Sequence, residues 1–497
     1  MTGQAQRASE QAHQADAVVG AVPKELLIGG RWCPAAGGAR FEVQNPATGQ
    51  VLCSVADAGA GDGLAALDAA AGAQSSWAAH PPRERGEILR RGFELLTERS
   101  EELAVLMTLE MGKPLAESRG EVAYAAEFLR WFAEEAVRID GGYATAPDGR
   151  GRFWVMRQPV GPCVLVTPWN FPMAMGTRKI GPAVAAGCTM VVKPAGQTPL
   201  SMLALAQILT EAGLPPGVLN VVTTTTSGPV IEPLIRDGRA RKLSFTGSTQ
   251  VGRVLLEQCA DQVLRTSMEL GGNAPFLVMA DADLDAAVQG AVQAKMRNTG
   301  QACTAANRFY VHHDIAAQFS ARLAEQMGAM RIGPGLAHGT QVGPLIDPTA
   351  RDKVTGLVQD AVDRGAHILV GGQPLAGPGH FYPPTVLTHV PPDAALTHEE
   401  IFGPVAPITT FHTDDQALTA ANDTPYGLVA YLYTQDLNRA IHISEQLQTG
   451  MIGLNQGIVS NPAAPFGGTK HSGLGREGGH TGIDEYLETK YIALGVS

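Results

Sequence analysis

Short apolar segments alternate with segments of helical periodicity from Val160 onward. Four apolar segments have the length of strands and no polar alternation: "CVLVTP", "TMVVKP", "VLNVV" and "KLSFTG". Helical patterns lie between and after them, around residues 174–187, in "SMLALAQILTEAG" and in "STQVGRVLLEQCA". Strands that are apolar on both faces are typical of parallel sheets covered by helices on both sides. The pattern therefore predicts a doubly wound α/β sheet, a fold that binds nucleotides at the carboxyl ends of its strands.

The alternation begins again after the glycine pair Gly271 and Gly272. A helical pattern in "LDAAVQGAVQAKM" is followed by the strand "RFYVH" and by the helical pattern "IAAQFSARLAEQMGAM". The chain has 497 residues, which is too long for a single hydrophobic core. We therefore predict a second α/β domain, with the glycine pair at the junction because glycine permits backbone conformations that other residues avoid. The residues before 140 are largely helical, and we expect them to pack on the first domain.

Acidic residues outnumber basic residues, 48 to 37, so the formal net charge is -11. Such a chain offers no basic field for nucleic acid or for an anionic membrane, and we expect neither as a partner. The first twenty residues are polar and rich in alanine, without the apolar core of a signal peptide. This stretch predicts a disordered tail at residues 1–20 of a cytoplasmic protein.

Six cysteines are spread along the chain without paired or CxxC spacing: Cys33, Cys53, Cys163, Cys188, Cys259 and Cys303. Disulfide-stabilised domains and structural zinc sites both depend on closely spaced cysteines. We therefore predict neither a disulfide framework nor a metal site.

A glycine-rich turn in "SFTGSTQVG" places Gly247 at the end of a strand and Gly252 in the first turns of the next helix. Backbone N–H groups at such a helix start can bind a phosphate, although many turns of this kind are only tight connections. Lys193 in "VVKPAGQTP" also ends a strand, where a nucleotide ribose would lie. The alternative for Lys193 is a solvated turn residue.

Two prolines bracket Trp169, Asn170 and Phe171 in "TPWNFP". Because proline restricts both its own backbone and that of the preceding residue, the turn is held rigid after the strand. Asn170 could then donate an N–H group to an oxyanion beyond the sheet edge. The alternative is a proline-rich turn with Trp169 packed beneath it.

Cys303 lies in "TGQACTAANR", among small and polar residues, whereas a core cysteine usually has large apolar neighbours. Small neighbours and Gly300 would let a ligand approach the sulfur, which favours a nucleophile over an inert packed thiol. Glu269 lies in the apolar sequence "SMELGGNAP". Burial there would raise its pKa toward the range of a general base, unless Glu269 is a salt-bridged structural residue.

Seven motifs stand in one order along the chain: "PWNFP", "KPA…TP", "FTGST..G", "MELGGNAP", "GQAC", "EEIFGPV" and "PFGGTKHSGLGREGG". Together they resemble the NAD(P)-dependent aldehyde dehydrogenases, from about residue 25 to the carboxyl terminus. The resemblance implies that Cys303 is the nucleophile and Glu269 the general base. It also implies that Asn170 and the Cys303 backbone N–H form the oxyanion hole.

The same resemblance implies a set of cofactor-binding residues, with Glu400 and Phe402 at the nicotinamide ribose. The full set is Thr167, Pro168, Trp169, Lys193, Gly196, Gly247, Ser248, Gly252, Leu270, Glu400 and Phe402. Many NAD-preferring relatives carry a Glu at the position of Gly196. Because no carboxylate would repel a 2′-phosphate here, we expect NADP as the cofactor, with NAD as the alternative.

Within the family, the chain is most similar to the succinate-semialdehyde dehydrogenases. Arg178, Arg297 and Ser460 match the residues that bind the far carboxylate of the substrate in that subfamily. Arginine suits this task because its planar guanidinium donates two hydrogen bonds to a carboxylate. Either arginine alone could instead be a structural ion-pair residue. The alternatives are a dehydrogenase for glutarate semialdehyde or a plain aldehyde, and a catalytically silent structural or binding member of the family.

The resemblance also implies a fold of two doubly wound Rossmann-like domains with a small β oligomerisation extension. We predict a cofactor-binding domain at residues 21–139 and 160–269 and a catalytic domain at 270–470. The extension would comprise residues 140–159 and 484–497, whose apolar strand pattern leaves an edge that needs covering. A homodimer or a homotetramer acting on a small aldehyde is therefore expected.

Overall fold

The computed structural model describes residues 15–495. Its amino-terminal third is mainly helical. The elements there are α1 (15–21), β1 (Leu26–Ile28), β2 (Arg31–Cys33), β3 (Arg40–Gln44), β4 (Val51–Ala56), α2 (Ala60–Ala78), α3 (Pro82–Glu98), α4 (Ser100–Met111) and α5 (Leu115–Glu135).

The next segment alternates strand and helix. It contains β5 (Gly142–Thr145), β6 (Gly151–Pro159), β7 (Cys163–Val166), α6 (Ala174–Ala186), β8 (Met190–Lys193), α7 (Leu200–Glu211), β9 (Leu219–Val221), α8 (Ser227–Arg236), β10 (Lys242–Thr246), α9 (Thr249–Ala260) and β11 (Arg265–Glu269).

A second alternating segment follows, with short 3-10 helices at Arg297–Gly300 and His480–Tyr486. Its remaining elements are β12 (Ala274–Val278), α10 (Leu284–Met296), β13 (Ala306–His312), α11 (His313–Gly328), α12 (Pro348–Asp363), β14 (His367–Val370), β15 (Thr385–Thr388), α13 (Ala395–His398), β16 (Val405–Phe411), α14 (Asp414–Asn422), β17 (Tyr426–Gly427), β18 (Val429–Tyr433), α15 (Leu437–Gln446), β19 (Met451–Leu454), β20 (Thr469–Lys470), β21 (Gly473–Leu474) and β22 (Leu487–Gly495).

The first sheet has the order β2-β1-β9-β8-β7-β10-β11-β21. Its five central strands, β9, β8, β7, β10 and β11, run parallel. The chain progresses outward in both directions from β7, so a topological switch point lies between β7 and β10, where such sheets bind ligands. All residues of β7, β8 and β10 are buried, as the continuous apolar segments predicted.

The second sheet has the order β14-β15-β16-β13-β12-β18-β19. Its edge strand β14 is antiparallel to β15, and the other six strands run parallel to one another. Helices α10 and α11 bury apolar side chains against it, including Val288 and Phe319. The predicted α/β class with two doubly wound sheets is therefore confirmed. The predicted domain boundaries stay a prediction.

A third, antiparallel sheet has the order β22-β6-β5. Strand β22 pairs with β6 along its whole length, from Leu487 opposite Pro159 to Gly495 opposite Gly151. The predicted β extension is therefore present, built from both of the segments assigned to it. Among residues 15–495, no helix combines the length and the apolar character needed to cross a bilayer.

The predicted disordered tail is wrong for residues 15–20, which belong to α1. Val19 is buried and, just after the helix, so is Val22; both belong to the core cluster that contains Leu103 and Leu106 of α4. Burial of this apolar face stabilises a helix whose sequence alone reads as polar. Residues 1–14 lie outside the described part of the chain.

Candidate active site

A cavity of about 500 Å³ opens at the carboxyl ends of β7, β10 and β11. It is lined by residues from the first sheet and from loops of the second. They include Pro168, Trp169, Asn170, Gly247, Ser248, Glu269, Leu270, Cys303, Glu400 and Phe402. The structure thus brings the three predicted catalytic side chains together with most of the predicted cofactor residues, at the switch point of the first sheet.

Cys303 is half-buried and lies in the loop between the 3-10 helix Arg297–Gly300 and β13. The preceding turn is tight: Thr299 and Gly300 have positive φ angles of 57° and 76°. A Cβ atom on Gly300 would lie 2.2 Å from the carbonyl oxygen of Gly403. Only glycine fits there, so the loop can approach the opposite wall and hold the sulfur at the cavity.

The Cys303 thiol lies in an environment that holds its proton. Burial raises its pKa to about 12, and the positive charge of Arg178 opposes the rise while the Glu269 carboxylate adds to it. A thiolate is the nucleophilic form of cysteine. Attack by this sulfur therefore requires a nearby group that accepts the thiol proton.

Glu269 ends β11 and offers such a group. Its side chain is 4% exposed, and within residues 15–495 neither carboxylate oxygen has a hydrogen-bond partner. Burial, followed by the nearby charge of Glu477, raises the pKa of Glu269 well above its ordinary value. A buried carboxylate without hydrogen bonds is a strong proton acceptor once ionised. Glu269 makes no ion pair with the described residues, unlike the salt-bridged alternative.

Asn170 is buried in the turn after β7. Its side-chain amide donates a hydrogen bond to the carbonyl oxygen of Gln301, at 3.0 Å, in the loop that carries Cys303. Its own carbonyl oxygen accepts hydrogen bonds from Lys113 Nζ at 2.7 Å and from Asn298 Nδ2 at 2.9 Å. Both the side-chain amide and the backbone carbonyl of Asn170 therefore connect this turn to the segment that carries Cys303.

A second cavity of about 520 Å³ adjoins the first, and Ile346 and Asp347 line both. Lys193 and Gly196 line this second cavity, together with Thr224 and Thr225 after β9. Lys193 is buried, so it is not a solvated turn residue. Its Nζ donates to Ser227 Oγ at 2.7 Å, and burial lowers its pKa to about 8.

The two adjoining cavities suit an extended dinucleotide. They follow the carboxyl ends of β8 to β11, and the start of α9 faces them, with Ser248 Oγ accepting a hydrogen bond from Val251 N. The first N–H groups of a helix lack partners within the helix and favour phosphate. A cationic Lys193 lies in the same groove, so the residues present fit a nicotinamide dinucleotide.

Two predicted cofactor residues support the groove without lining either cavity. The backbone N–H of Thr167 donates to the Lys193 carbonyl at 3.1 Å and joins the ends of β7 and β8. A Cβ atom on Gly252 would lie 2.5 Å from Leu270 Cδ2. Gly252 therefore allows Leu270 to pack closely on α9.

Glu400 and Phe402 complete the wall opposite the first sheet. Glu400 Oε1 accepts a hydrogen bond from Gly272 N at 3.0 Å, and burial raises the pKa of Glu400 to about 7. The Phe402 ring lies edge-on to Trp169, with centroids 5.4 Å apart. Both rings line the cavity that contains Cys303.

The three predicted carboxylate-binding residues lie near one another around Tyr124. Arg178 Nη2 donates to the Tyr124 hydroxyl at 2.7 Å, and Arg297 lies 5.9 Å from the centre of the Tyr124 ring. Arg297 Nη1 donates to Ser460 Oγ at 2.9 Å. The charges of both arginines act on Cys303. Arg178 is 1% exposed and pairs with Glu477 at 3.5 Å, which is the structural role considered for a single arginine.

Residues 32–492 match the sequence model of the aldehyde dehydrogenase family. The chain belongs to the aldehyde dehydrogenase family. It is 59% identical over 444 residues to a succinate-semialdehyde dehydrogenase of Paenarthrobacter nicotinovorans, covering 89% of this chain and 99% of that protein. It is 49% identical over 473 residues to a glutarate-semialdehyde dehydrogenase of Pseudomonas putida, covering 95% and 98%.

A crystal structure of an NADP dependent enzyme from Escherichia coli superposes on this aldehyde dehydrogenase with a TM-score of 0.94. The two chains are 49% identical, and the match covers 96% of this chain and 98% of the other. The family membership expected from the sequence motifs is thus confirmed, and the chain is an NAD(P)-dependent oxidoreductase acting on a small aldehyde.

Several residues of this site were missed at the level of the sequence. Lys113, fully buried, donates to Glu121 Oε2 as well as to Asn170. Tyr124 and Glu477 both contact Arg178. A charged residue inside the apolar stretch "LMTLEMGKPL" was the available signal for Lys113. Glu477 lies in the motif "PFGGTKHSGLGREGG", which was the available signal for it, whereas Tyr124 has no comparable signal.

Proposed function

We propose that this aldehyde dehydrogenase oxidises succinate semialdehyde to succinate with NADP, through a cysteine thiohemiacetal and a thioester. The observation that carries the proposal is the pair Arg178 and Arg297, which lie around Tyr124 and act electrostatically on Cys303. Two guanidinium groups whose charges reach the reactive sulfur are suited to a substrate that carries a carboxylate beyond its aldehyde.

Cys303 is the proposed nucleophile. Its sulfur attacks the aldehyde carbon, and the thiol proton passes to the Glu269 carboxylate, which lines the same cavity. The developing oxyanion accepts hydrogen bonds from the Asn170 amide and the Cys303 backbone N–H. A nicotinamide held beside Glu400 and Phe402 would supply the acceptor for the hydride of the thiohemiacetal carbon. A thioester to Cys303 remains.

Glu269 is the proposed base for hydrolysis of this thioester. The proton that Glu269 accepted from the thiol first passes to solvent. The ionised carboxylate then takes a proton from water, and the hydroxide attacks the thioester carbonyl. The C–S bond breaks as the sulfur takes up the proton from Glu269, which releases the acid and regenerates the Cys303 thiol. The lack of hydrogen bonds to Glu269 supports this role, since its oxygens are free to approach a water in the cavity. Asn170 again stabilises the tetrahedral oxyanion.

The cofactor proposal is NADP, with NAD as the alternative. Pro168, Trp169, Gly247, Ser248 and Leu270 would contact it in the first cavity and Lys193 in the second, while Glu400 and Phe402 would lie at the nicotinamide ribose. Gly196 brings no carboxylate to the groove, which favours a 2′-phosphate, and a similar structure belongs to an NADP dependent enzyme.

Oligomerisation and location are part of the same proposal. The three-stranded sheet exposes Tyr143, Trp154 and Tyr491, with 63%, 48% and 65% of their surfaces accessible. Aromatic side chains on a sheet with an open edge strand favour association with another copy. We propose a homodimer or homotetramer, acting in the cytoplasm.

Glutarate semialdehyde is the second candidate substrate, because a similar protein is named for it. It carries the same terminal carboxylate one methylene further from the aldehyde. The arginine pair would bind both substrates, so the depth of the cavity decides between them.

Arg297→Ala tests the carboxylate clamp. Loss of a buried charge-assisted contact typically costs about 2 to 4 kcal/mol. We therefore expect the ratio of wild-type to variant kcat/KM for succinate semialdehyde to correspond to a loss of that size in transition-state stabilisation. Butanal has no carboxylate and should lose much less activity. Ser460→Ala should give a smaller loss of the same kind, since its hydroxyl is a neutral donor. Arg178→Ala is less informative, because it also leaves Glu477 without one of its partners.

Steady-state rates of cofactor reduction with succinate semialdehyde, glutarate semialdehyde and butanal are the measurement. Equal losses for charged and uncharged aldehydes in Arg297→Ala would refute the clamp. Higher wild-type kcat/KM for glutarate semialdehyde would assign the enzyme to that substrate. Absence of cofactor reduction with every aldehyde would identify a catalytically silent member of the family.

A further inference from the structure

A cluster of histidine and aspartate side chains lies at the junction of β13 and α11. His312 ends the strand, and His313 and Asp314 begin the helix. One potential ligand atom from each of the three residues lies within 4.8 Å of the other two, the one such grouping of His, Cys, Asp and Glu side chains within residues 15–495. The His412 ring, just after β16, lies 4.2 Å from that of His313 between centroids.

The hydrogen bonds of His312 indicate which ring nitrogen carries the lone pair. Its Nε2 lies 3.3 Å from the His412 carbonyl oxygen, and an oxygen of this kind can only accept, so Nε2 carries the proton. Nδ1 therefore carries the lone pair of the ring, which accepts the Asp314 N–H at 3.4 Å; a bound ion would replace this long hydrogen bond. Histidines that bind metals usually donate their other ring N–H to a carbonyl or carboxylate in this manner.

The spacing of the ligand atoms suits a small divalent cation. His312 Nδ1 lies 3.5 Å from Asp314 Oδ2, and His313 Nε2 lies 2.9 Å from Asp314 Oδ1. Two ligands at the usual distance from a tetrahedral Zn²⁺ are roughly 3.4 Å apart. Imidazole nitrogen with carboxylate oxygen is a ligand set that Zn²⁺ accepts, whereas Ca²⁺ and Mg²⁺ prefer oxygen alone.

We propose that His312, His313 and Asp314 bind one Zn²⁺ ion, with the His412 imidazole or water as the fourth ligand. The site is separate from the active site. Cys303 precedes β13 and His312 ends it, and a strand of this length spans about 20 Å. The cysteine spacing predicted no metal site, but these ligands are not cysteines. A bound ion would join the start of α11 to the end of β16.

Isothermal titration of the full-length protein with Zn²⁺ alone tests the proposal. We expect one ion per chain at this site in the wild type, and binding at least tenfold weaker in His313→Ala and in Asp314→Asn. His442→Ala removes an exposed histidine from α15 and should bind as the wild type does. Cys303→Ala removes the active-site thiol and should also keep the site.

Activity with an aldehyde provides the folding control, because His313 and Asp314 belong to no part of the catalytic machinery. Both variants should keep wild-type turnover without added metal, so weaker binding cannot be ascribed to misfolding. Unchanged Zn²⁺ affinity in His313→Ala and Asp314→Asn would overturn the proposal. Loss of the bound ion in Cys303→Ala, or no measurable binding to the wild type, would also overturn it.

Discussion

Lys113→Met is expected to weaken both the fold and catalysis, because Lys113 connects the interior to the turn that carries Asn170. Its ammonium group is fully buried, donates to Glu121 Oε2 and to the Asn170 carbonyl, and lies 4.1 Å from the centre of the Phe171 ring. Glu121 Oε1 in turn accepts the N–H groups of Met173 and Ala174 at 3.0 and 3.2 Å, at the start of α6.

Two consequences follow from removing the ammonium group. Glu121 becomes a buried carboxylate without its cation, and breaking a buried ion pair in this way typically costs 3 to 5 kcal/mol, so we expect a loss of about 3 kcal/mol in the free energy of unfolding. The Asn170 carbonyl keeps only the hydrogen bond from Asn298. Removing an oxyanion donor outright lowers kcat by 10² to 10³. Displacement of Asn170 should therefore lower kcat by about tenfold.

Urea unfolding and steady-state kinetics with succinate semialdehyde measure the two effects. Arg119→Met is the matched control: Arg119 is on α5, the helix that carries Glu121, and pairs with Glu101 at 2.7 Å, but both side chains are about half exposed. An exposed pair contributes less than about 1 kcal/mol, and Arg119 lies outside the site. If Lys113→Met were as stable and as active as Arg119→Met, the argument for a buried positioning contact would be refuted.

Three further predictions concern titratable groups and the cofactor. Glu269→Gln should slow thioester hydrolysis and also the first release of reduced cofactor, because the variant lacks the group that accepts the Cys303 proton and a proton from water. Wild-type kcat/KM should rise with pH, since burial raises the pKa values of both Glu269 and Cys303; a wild-type profile that falls with pH would contradict this. Burial raises the pKa of Glu110 from 4.5 to about 7, so between these pH values the native state binds more protons than the unfolded state does. The free energy of unfolding should therefore fall as pH rises through this range, and Glu110→Gln should reduce that fall by on the order of 3 kcal/mol in urea unfolding. An unchanged dependence of the free energy of unfolding on pH would show that Glu110 does not titrate there. Gly196→Glu should shift the ratio of kcat/KM values toward NAD, since a carboxylate repels a 2′-phosphate; an unaltered ratio would locate cofactor selectivity elsewhere.

Hydrophobic patterning predicted β7 to β10 of the first sheet and β13 of the second, because a buried parallel strand must be apolar on both faces. It also predicted five of the helices that cover them: α6, α7, α9, α10 and α11. Strands β7, β8 and β10 follow this rule without exception. The pattern failed for α1, whose residues read as polar in composition. Packing of Val19 and its neighbours against the helical region stabilises that helix, and this contact joins parts of the chain that are far apart in sequence.

The chemical identity of Cys303, Glu269 and Asn170 was readable from local motifs, because each lies beside residues whose small size or rigid backbone serves the site. The sequence by itself therefore determined which groups are available and which fold presents them. The tertiary structure decided their surroundings: Arg178 meets both Tyr124 and Glu477, and Glu269 is left without a hydrogen bond. The burial of these side chains, their pKa values and their pairing depend on how close folding brings residues that are far apart in the sequence. No local motif records that distance.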